Sequence, residues 1–82
     1  MYDIIILSKA EEQLSKLNKS LQERILNTFE RIKFRPFHFV KRKQETPYFI
    51  LRIGEHLAIL DIKRNKLLIL VIELGHRKNI YK

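Results

Sequence analysis

The order of apolar and polar positions divides the chain into six elements. Ile4, Ile5, Ile6 and Leu7 form a β-branched run. It is long enough for a buried strand and too short for a helix. Ala10, Leu14 and Leu17 then recur at helical spacing, and Ser8-Lys9-Ala10-Glu11 fits a capping box at the start of that helix. Asn18-Lys19 interrupts. Ser20 and Glu23 repeat the box, and Leu21, Ile25, Phe29 and Ile32 mark the apolar stripe of a second helix. Arg35-Pro36 ends it, because the residue before proline avoids the helical region. Residues 35–47 read as irregular, with Phe37, His38, Phe39, Lys41-Arg42-Lys43 and Pro47. Beyond Pro47 the period becomes that of strands: 48–53, 56–62 and 67–74, separated by turns at Gly54-Glu55 and around Arg64-Asn65, where Asn tolerates the positive φ a hairpin demands. The order β-α-α-β-β-β predicts an α+β fold, a helical hairpin packed on a mostly antiparallel four-stranded sheet.

Length and composition narrow the class. Eighty-two residues make one domain, 1–82. Hydrophobic residues at 45% exclude wholesale disorder. With no cysteine, a disulfide framework, a thiolate metal site and a Cys nucleophile are excluded. No apolar run approaches the roughly 18 residues of a membrane span, and the start of the chain lacks the basic and small-residue features of a secretory signal. A cytoplasmic, membrane-independent protein is expected.

The net charge is +8, unevenly placed. Residues 1–34 hold six Lys/Arg and five Asp/Glu, whereas residues 35–82 hold eleven and four. The acids thin out where the cations concentrate, which points to a polyanionic partner rather than to a surface of paired charges. Glu45, Glu55, Asp61 and Glu73 are dispersed, and His38, His56 and His76 lie in three different elements. Neither set has metal-ligand or two-carboxylate spacing, so no metal and no cofactor is expected. Two basic segments stand out. Lys41-Arg42-Lys43 sits among Phe37, Phe39, Tyr48 and Phe49, aromatics better spent on the core of so small a domain. The ending Gly75-His76-Arg77-Lys78-Asn79-Ile80-Tyr81 follows an apolar strand, so its polar groups emerge at a rigid sheet end, with Ile80 and Tyr81 apolar enough to dock back.

Three segments resemble the RelE/ParE superfamily of type II toxin–antitoxin toxins, most closely the archaeal RelE type. They are the first strand with its Ala10, Leu14, Leu17 helix; Leu51-Arg52-Ile53-Gly54-Glu55-His56-Leu57-Ala58-Ile59-Leu60-Asp61-Ile62, similar to L-R-V-G-D-Y-R-V-I-Y-E-I; and the ending, similar to G-H-R-x-x-I-Y. The resemblance implies the fold already read from periodicity. It further implies a ribosome-dependent endoribonuclease that cuts mRNA by attack of the ribose 2′-OH on the adjacent phosphate, without metal, and so inhibits translation. It assigns Arg77 and Arg52 to the scissile phosphate, Tyr81 to the 2′-OH and His76 or His56 to proton transfer, with Lys41, Arg42, Lys43 and Lys78 binding RNA. The implied partners are mRNA, the ribosome and an acidic RelB-like antitoxin in a heterodimer or heterotetramer. The sequence departs from the pattern at one catalytic position: the family's central-strand Arg falls on Leu57, and the Tyr before it on His56. Two other readings follow, a ParE-like non-enzymatic gyrase inhibitor and a degenerate toxin retaining only antitoxin binding.

Overall fold

The computed structural model describes residues 1–80. Strand β1 (Asp3–Ile6) leads into helices α1 (Ser8–Ser15) and α2 (Lys19–Ile32). A single 3-10 turn precedes β2 (Val40–Arg42), and β3 (Phe49–Ile53), β4 (His56–Lys63) and β5 (Leu68–His76) follow, with a short helical turn α3 (Arg77–Ile80) at the end. The sheet order is β1-β5-β4-β3-β2. β1 runs parallel to β5, and every other neighbouring pair is antiparallel.

The sheet therefore has five strands where the periodicity predicts four. The added strand, β2, is three residues inside the stretch read as irregular, too short to show an alternation. It forms because the loop after it folds tightly back: the Lys43 N–H donates to the Tyr48 carbonyl at 2.9 Å, the Thr46 hydroxyl to the Lys43 carbonyl at 2.9 Å, and Glu45 takes φ +64°. The β4–β5 connection also differs. Positive φ falls on Leu67 (+50°) after a 3-10 turn, not on Asn65, so β5 begins one residue later than expected.

The helix starts shift by the same local logic. Ser8 is already helical; Leu7 holds the cap position with no side-chain cap, because its N–H is the last rung to β5, donating to the Val71 carbonyl at 3.0 Å. At α2 it is Asn18, not Ser20, that caps, its side-chain oxygen accepting from the Leu21 N–H at 2.8 Å.

Ala10, Leu14, Ile25, Phe29 and Ile32 of the helices bury against Leu51, Ile53, Ala58, Leu60, Ile69, Val71 and Leu74 of the sheet. Removing that apolar surface from water drives the two layers together. The opposite sheet face carries a second, smaller cluster, Ile50, Leu57 and Ile59, covered by Tyr48 and Ile80.

Candidate functional site

The second face of the sheet holds the site. Alternation along β3 sends Leu51 and Ile53 to the helices and Ile50 and Arg52 to the other side. The register places Lys41 of β2 opposite Ile50, and Leu57 of β4 opposite Arg52. Directly opposed antiparallel residues share a face, so Lys41, Ile50, Arg52 and Leu57 form one patch. The end of β5 completes it. Arg77 is the first residue of α3, and its N–H donates to the Glu55 carbonyl at 2.9 Å, tying the terminal turn to the β3–β4 turn. The result is a cleft of about 140 Å³ lined by Phe39, Lys41, Ile50, Arg52, Leu57 and Arg77.

Three cations thus stand around an apolar floor. Arg52 is held by its own turn, its Nε–H donating to the Gly54 carbonyl at 3.1 Å. Arg77 lies 3.9 Å from the Glu55 carboxylate, a loose and solvent-exposed pair that leaves its other donors free for a ligand. Leu57 is only 1% exposed and makes the floor. Low-dielectric walls under exposed cations strengthen their pull on an anion. Lys41 stands in the same cleft as Leu57 and so supplies a positive charge beside the position where the family pattern has Arg.

The terminal turn reaches this face because of Gly75. A Cβ on Gly75 would come within 3.2 Å of the Ile80 side chain, so glycine leaves room for Ile80 to seat on Ile50, Leu57 and Ile59.

The remaining site residues read from the sequence fall elsewhere. His56 and His76 are register partners with rings 5.5 Å apart. Alternation puts His56 on the side of Ala58 and Leu60, and neither ring lines the cleft. Burial, and next the charge of His76, lower the pKa of His56 below its ordinary value; Glu55 opposes them. The neutral imidazole of His56 is therefore favoured over the imidazolium. The His76 Nδ1 accepts from the Lys78 N–H at 3.2 Å, and Lys78 itself is exposed away from the cleft. Arg42 and Lys43 do not line the cleft; with Lys41 and Gln44 they rim a neighbouring open depression. Tyr81 lies outside the described residues.

Among the aromatics, Phe37 and Phe49 pack edge to face at 5.3 Å against the main core, as economy of apolar residues requires. Phe39 departs from that expectation: it is 39% exposed and walls the cleft. It stands directly before β2 and lines the cleft together with Lys41, two residues on. Among the described residues no group of three His, Asp or Glu side chains is gathered closely enough to hold a metal ion. Nor is any helix there long and apolar enough to cross a membrane.

This arrangement of layers, with the terminal turn folded across the open sheet face, is that of the RelE toxins. The backbone superposes on a chain of the RelBE2 toxin–antitoxin complex of Mycobacterium tuberculosis with a TM-score of 0.83, at 19% identity, covering 93% of this chain and 98% of that one. For the RelE–RelB complex of the archaeon Pyrococcus horikoshii the TM-score is 0.81 at 20% identity, covering 93% and 94%. For the isolated Escherichia coli RelE toxin it is 0.76 at 15% identity, covering 99% and 92%. The sequence matches the family model described as the ParE toxin of the type II toxin–antitoxin system parDE over residues 4–81. The chain belongs to this toxin family, within the RelE/ParE superfamily. No curated protein is significantly similar to it in sequence.

Proposed function

We propose that this toxin is a ribosome-dependent endoribonuclease that cleaves mRNA and is held inactive by an acidic antitoxin. The observation that carries the reading is the convergence of Lys41, Arg52 and Arg77 on one apolar-floored cleft. In the reaction the ribose 2′-oxygen loses its proton and attacks the adjacent phosphorus. The P–O5′ bond breaks, a 2′,3′-cyclic phosphate remains, and the leaving 5′-oxygen takes up a proton. The phosphorane-like transition state carries more negative charge than the substrate, and fixed cations in a partly dry cleft favour it selectively. Arg77 and Arg52 grip the non-bridging oxygens, since a guanidinium presents a fork of donors and stays charged. Lys41 takes up the charge that the family pattern assigns to the position of Leu57. Tyr81 is assigned to the 2′-OH. Arg42, Lys43 and Lys78 contact flanking phosphates, and His56 and His76 are left outside the cleft. No metal is written into the scheme.

A cleft this small and shallow does not orient a flexible strand unaided, so the ribosome supplies the positioning. The solved RelE complexes with RelB support an antitoxin partner for this chain; a heterodimer or heterotetramer in the cytoplasm is the assembly we propose. Exposed Ile5, Leu7, Leu26 and Phe34 offer apolar anchors for an amphipathic segment.

Expression without the antitoxin should arrest translation and leave mRNAs cut within translated codons, read by primer extension. The second reading, a gyrase inhibitor, is favoured by the family model; Leu57 in place of Arg favours instead a degenerate toxin that keeps only antitoxin binding. Intact mRNA with accumulated gyrase–DNA cleavage complexes would establish the gyrase inhibitor.

A further inference from the structure

The cleft does not end at Arg52. A larger open groove of about 610 Å³ lies between α2 and β3, and Phe39 and Arg52 line both volumes. Along α2 the groove is walled by Arg24, Asn27, Thr28 and Arg31, the helix face adjoining the buried stripe of Leu21, Ile25, Phe29 and Ile32. Arg24 and Arg31 are seven residues apart, about 10 Å along the axis. Arg24 reaches across to the β3–β4 turn, where its guanidinium would meet a Cβ on Gly54 at 3.0 Å. Among the described residues neither Arg24 nor Arg31 is in an ion pair, whereas Lys9, Lys16, Lys33 and Lys63 all are. Glu23 is the one acid on the groove.

We infer that this groove is a track for a single strand of nucleic acid, continuing the substrate path from the Lys41–Arg52–Arg77 cleft past Phe39 onto α2. The inference rests on the nuclease reading and extends its site. Guanidiniums at intervals, with the side-chain amide of Asn27 between them, match phosphates alternating with sugar oxygens. Phe39 stands exposed at the junction, where an unpaired base can stack. The polar wall along α2 is a poor seat for the apolar face of a protein helix, and none of the exposed apolar residues Ile5, Leu7, Leu26 and Phe34 lines the groove. The sequence hid this feature, since Arg24 and Arg31 belong to the charge-balanced half of the chain.

The test uses the full-length toxin and 2′-O-methyl oligoribonucleotides, which cannot be cleaved. One is a dinucleotide, long enough to set its phosphate at the cleft but not to run along the groove; the other is about 12, within the range a single-strand groove covers. For the double variant Arg24→Gln/Arg31→Gln, affinity for the long strand should fall about tenfold. The slope of log affinity against log salt should become shallower by about 1.4, two phosphates on a single strand. Affinity for the short one should stay at the parent's value. Arg24→Lys/Arg31→Lys should keep the parent's slope. Melting curves show whether each variant is folded, and loss of fold in the Gln variant shifts the comparison to Arg31→Gln alone, with half the slope change. A parent that binds the long strand while the folded Gln variant matches it in affinity and slope overturns the track but not the nuclease reading. A parent that binds neither oligonucleotide also overturns the track, while the nuclease reading, in which the ribosome positions the strand, stands or falls on the primer-extension result. Unchanged RNA binding with lost affinity for the antitoxin would make the groove a protein-docking surface and likewise overturn the inference.

Discussion

Arg77 has no structural duty that its charge would explain. Its side chain is exposed and its carboxylate neighbour stands 3.9 Å away. The backbone bond to Glu55 survives any side-chain change. Arg77→Ala is therefore expected to change stability by less than about 1 kcal/mol while lowering mRNA cleavage by roughly 100-fold or more, the scale of one lost preorganised donor. Arg77→Lys should restore only part of the rate, since one ammonium cannot reproduce the fork. Lys66→Ala, in the exposed β4–β5 turn far from the cleft, is the control for charge alone; Arg24 is unsuitable, because it borders the groove beside Arg52. Cleavage rate and melting temperature measured on the same preparations separate the two effects. His56 supplies a second expectation. Its pKa is lowered in the fold, so below about pH 6.5, where an unfolded histidine titrates, the unfolded chain binds more protons than the native one. Stability should then fall as pH drops from about 6.5 toward the lowered native value, and be restored as pH rises through that window. In His56→Gln the dependence of melting temperature on pH over this range should be weaker. Equal pH profiles for the two proteins would remove His56 as the cause.

At the scale of elements, α1 and β5 are joined by the packing of Ala10 and Leu14 on Val71 and Leu74, by the exposed Lys9–Glu73 pair at 3.3 Å, and by one buried-edge hydrogen bond from a side chain. β1 pairs with β5 only as far as Ile6 and Val71, so the outer edge of β5 beyond that point has no strand beside it. Gln13 fills the gap, its side-chain oxygen accepting from the Leu74 N–H at 2.8 Å. An unmet half-buried N–H costs about 1–3 kcal/mol, so Gln13→Ala should lower denaturant stability by that amount, and Gln13→Glu, which keeps the acceptor, by less. The C-terminal turn has its own dependence. Gly75→Val would drive a side chain into Ile80, costing about 1–3 kcal/mol as overpacking. It should also lift α3 from the sheet and carry Arg77 away from Arg52 and Lys41. Cleavage should drop far more than stability at a temperature where the variant is still folded; a variant as active as the parent would show that α3 need not be seated.

For the molecule as a whole, one layer does two jobs. The helix-covered face supplies the large core and the other face carries the candidate site, floored by Leu57, Ile50 and Ile59. Leu57 serves both stability and site. Leu57→Ala should cost about 2–5 kcal/mol, the transfer and cavity terms of a buried leucine, a large share of the margin of so small a domain. Thermal melting reads this directly. The cationic half of the sheet and the exposed apolar residues at β1 also fit one antitoxin that is acidic and amphipathic at once. Co-expression from the native operon should return a complex with a small acidic protein, and a toxin eluting alone beside a soluble neighbour would contradict it.

Some of this was decided by the sequence alone. The helical spacings of Ala10 to Leu17 and of Leu21 to Ile32, with the alternation from Tyr48 onward, forced two helices and three antiparallel strands, because each pattern can bury its apolar side in only one conformation. The endings around Arg52 and Arg77 were legible as motifs, and so was the family. Short and non-local features were not. β2 is three residues long and exists only because a loop returns it to β3. Asn18 displaced Ser20 as a cap, and Leu67 displaced Asn65 at the turn, since the exact rung at which a ladder ends settles which residue turns. Above all, alternation gave Arg52 a face but could not say what shared it. That Lys41, Arg52 and Arg77 meet over Leu57 while the two histidines do not is fixed by strand order and register, which bring together residues up to 36 positions apart. Such pairings are selected by the packing of the whole sheet, and no local stretch of sequence contains them.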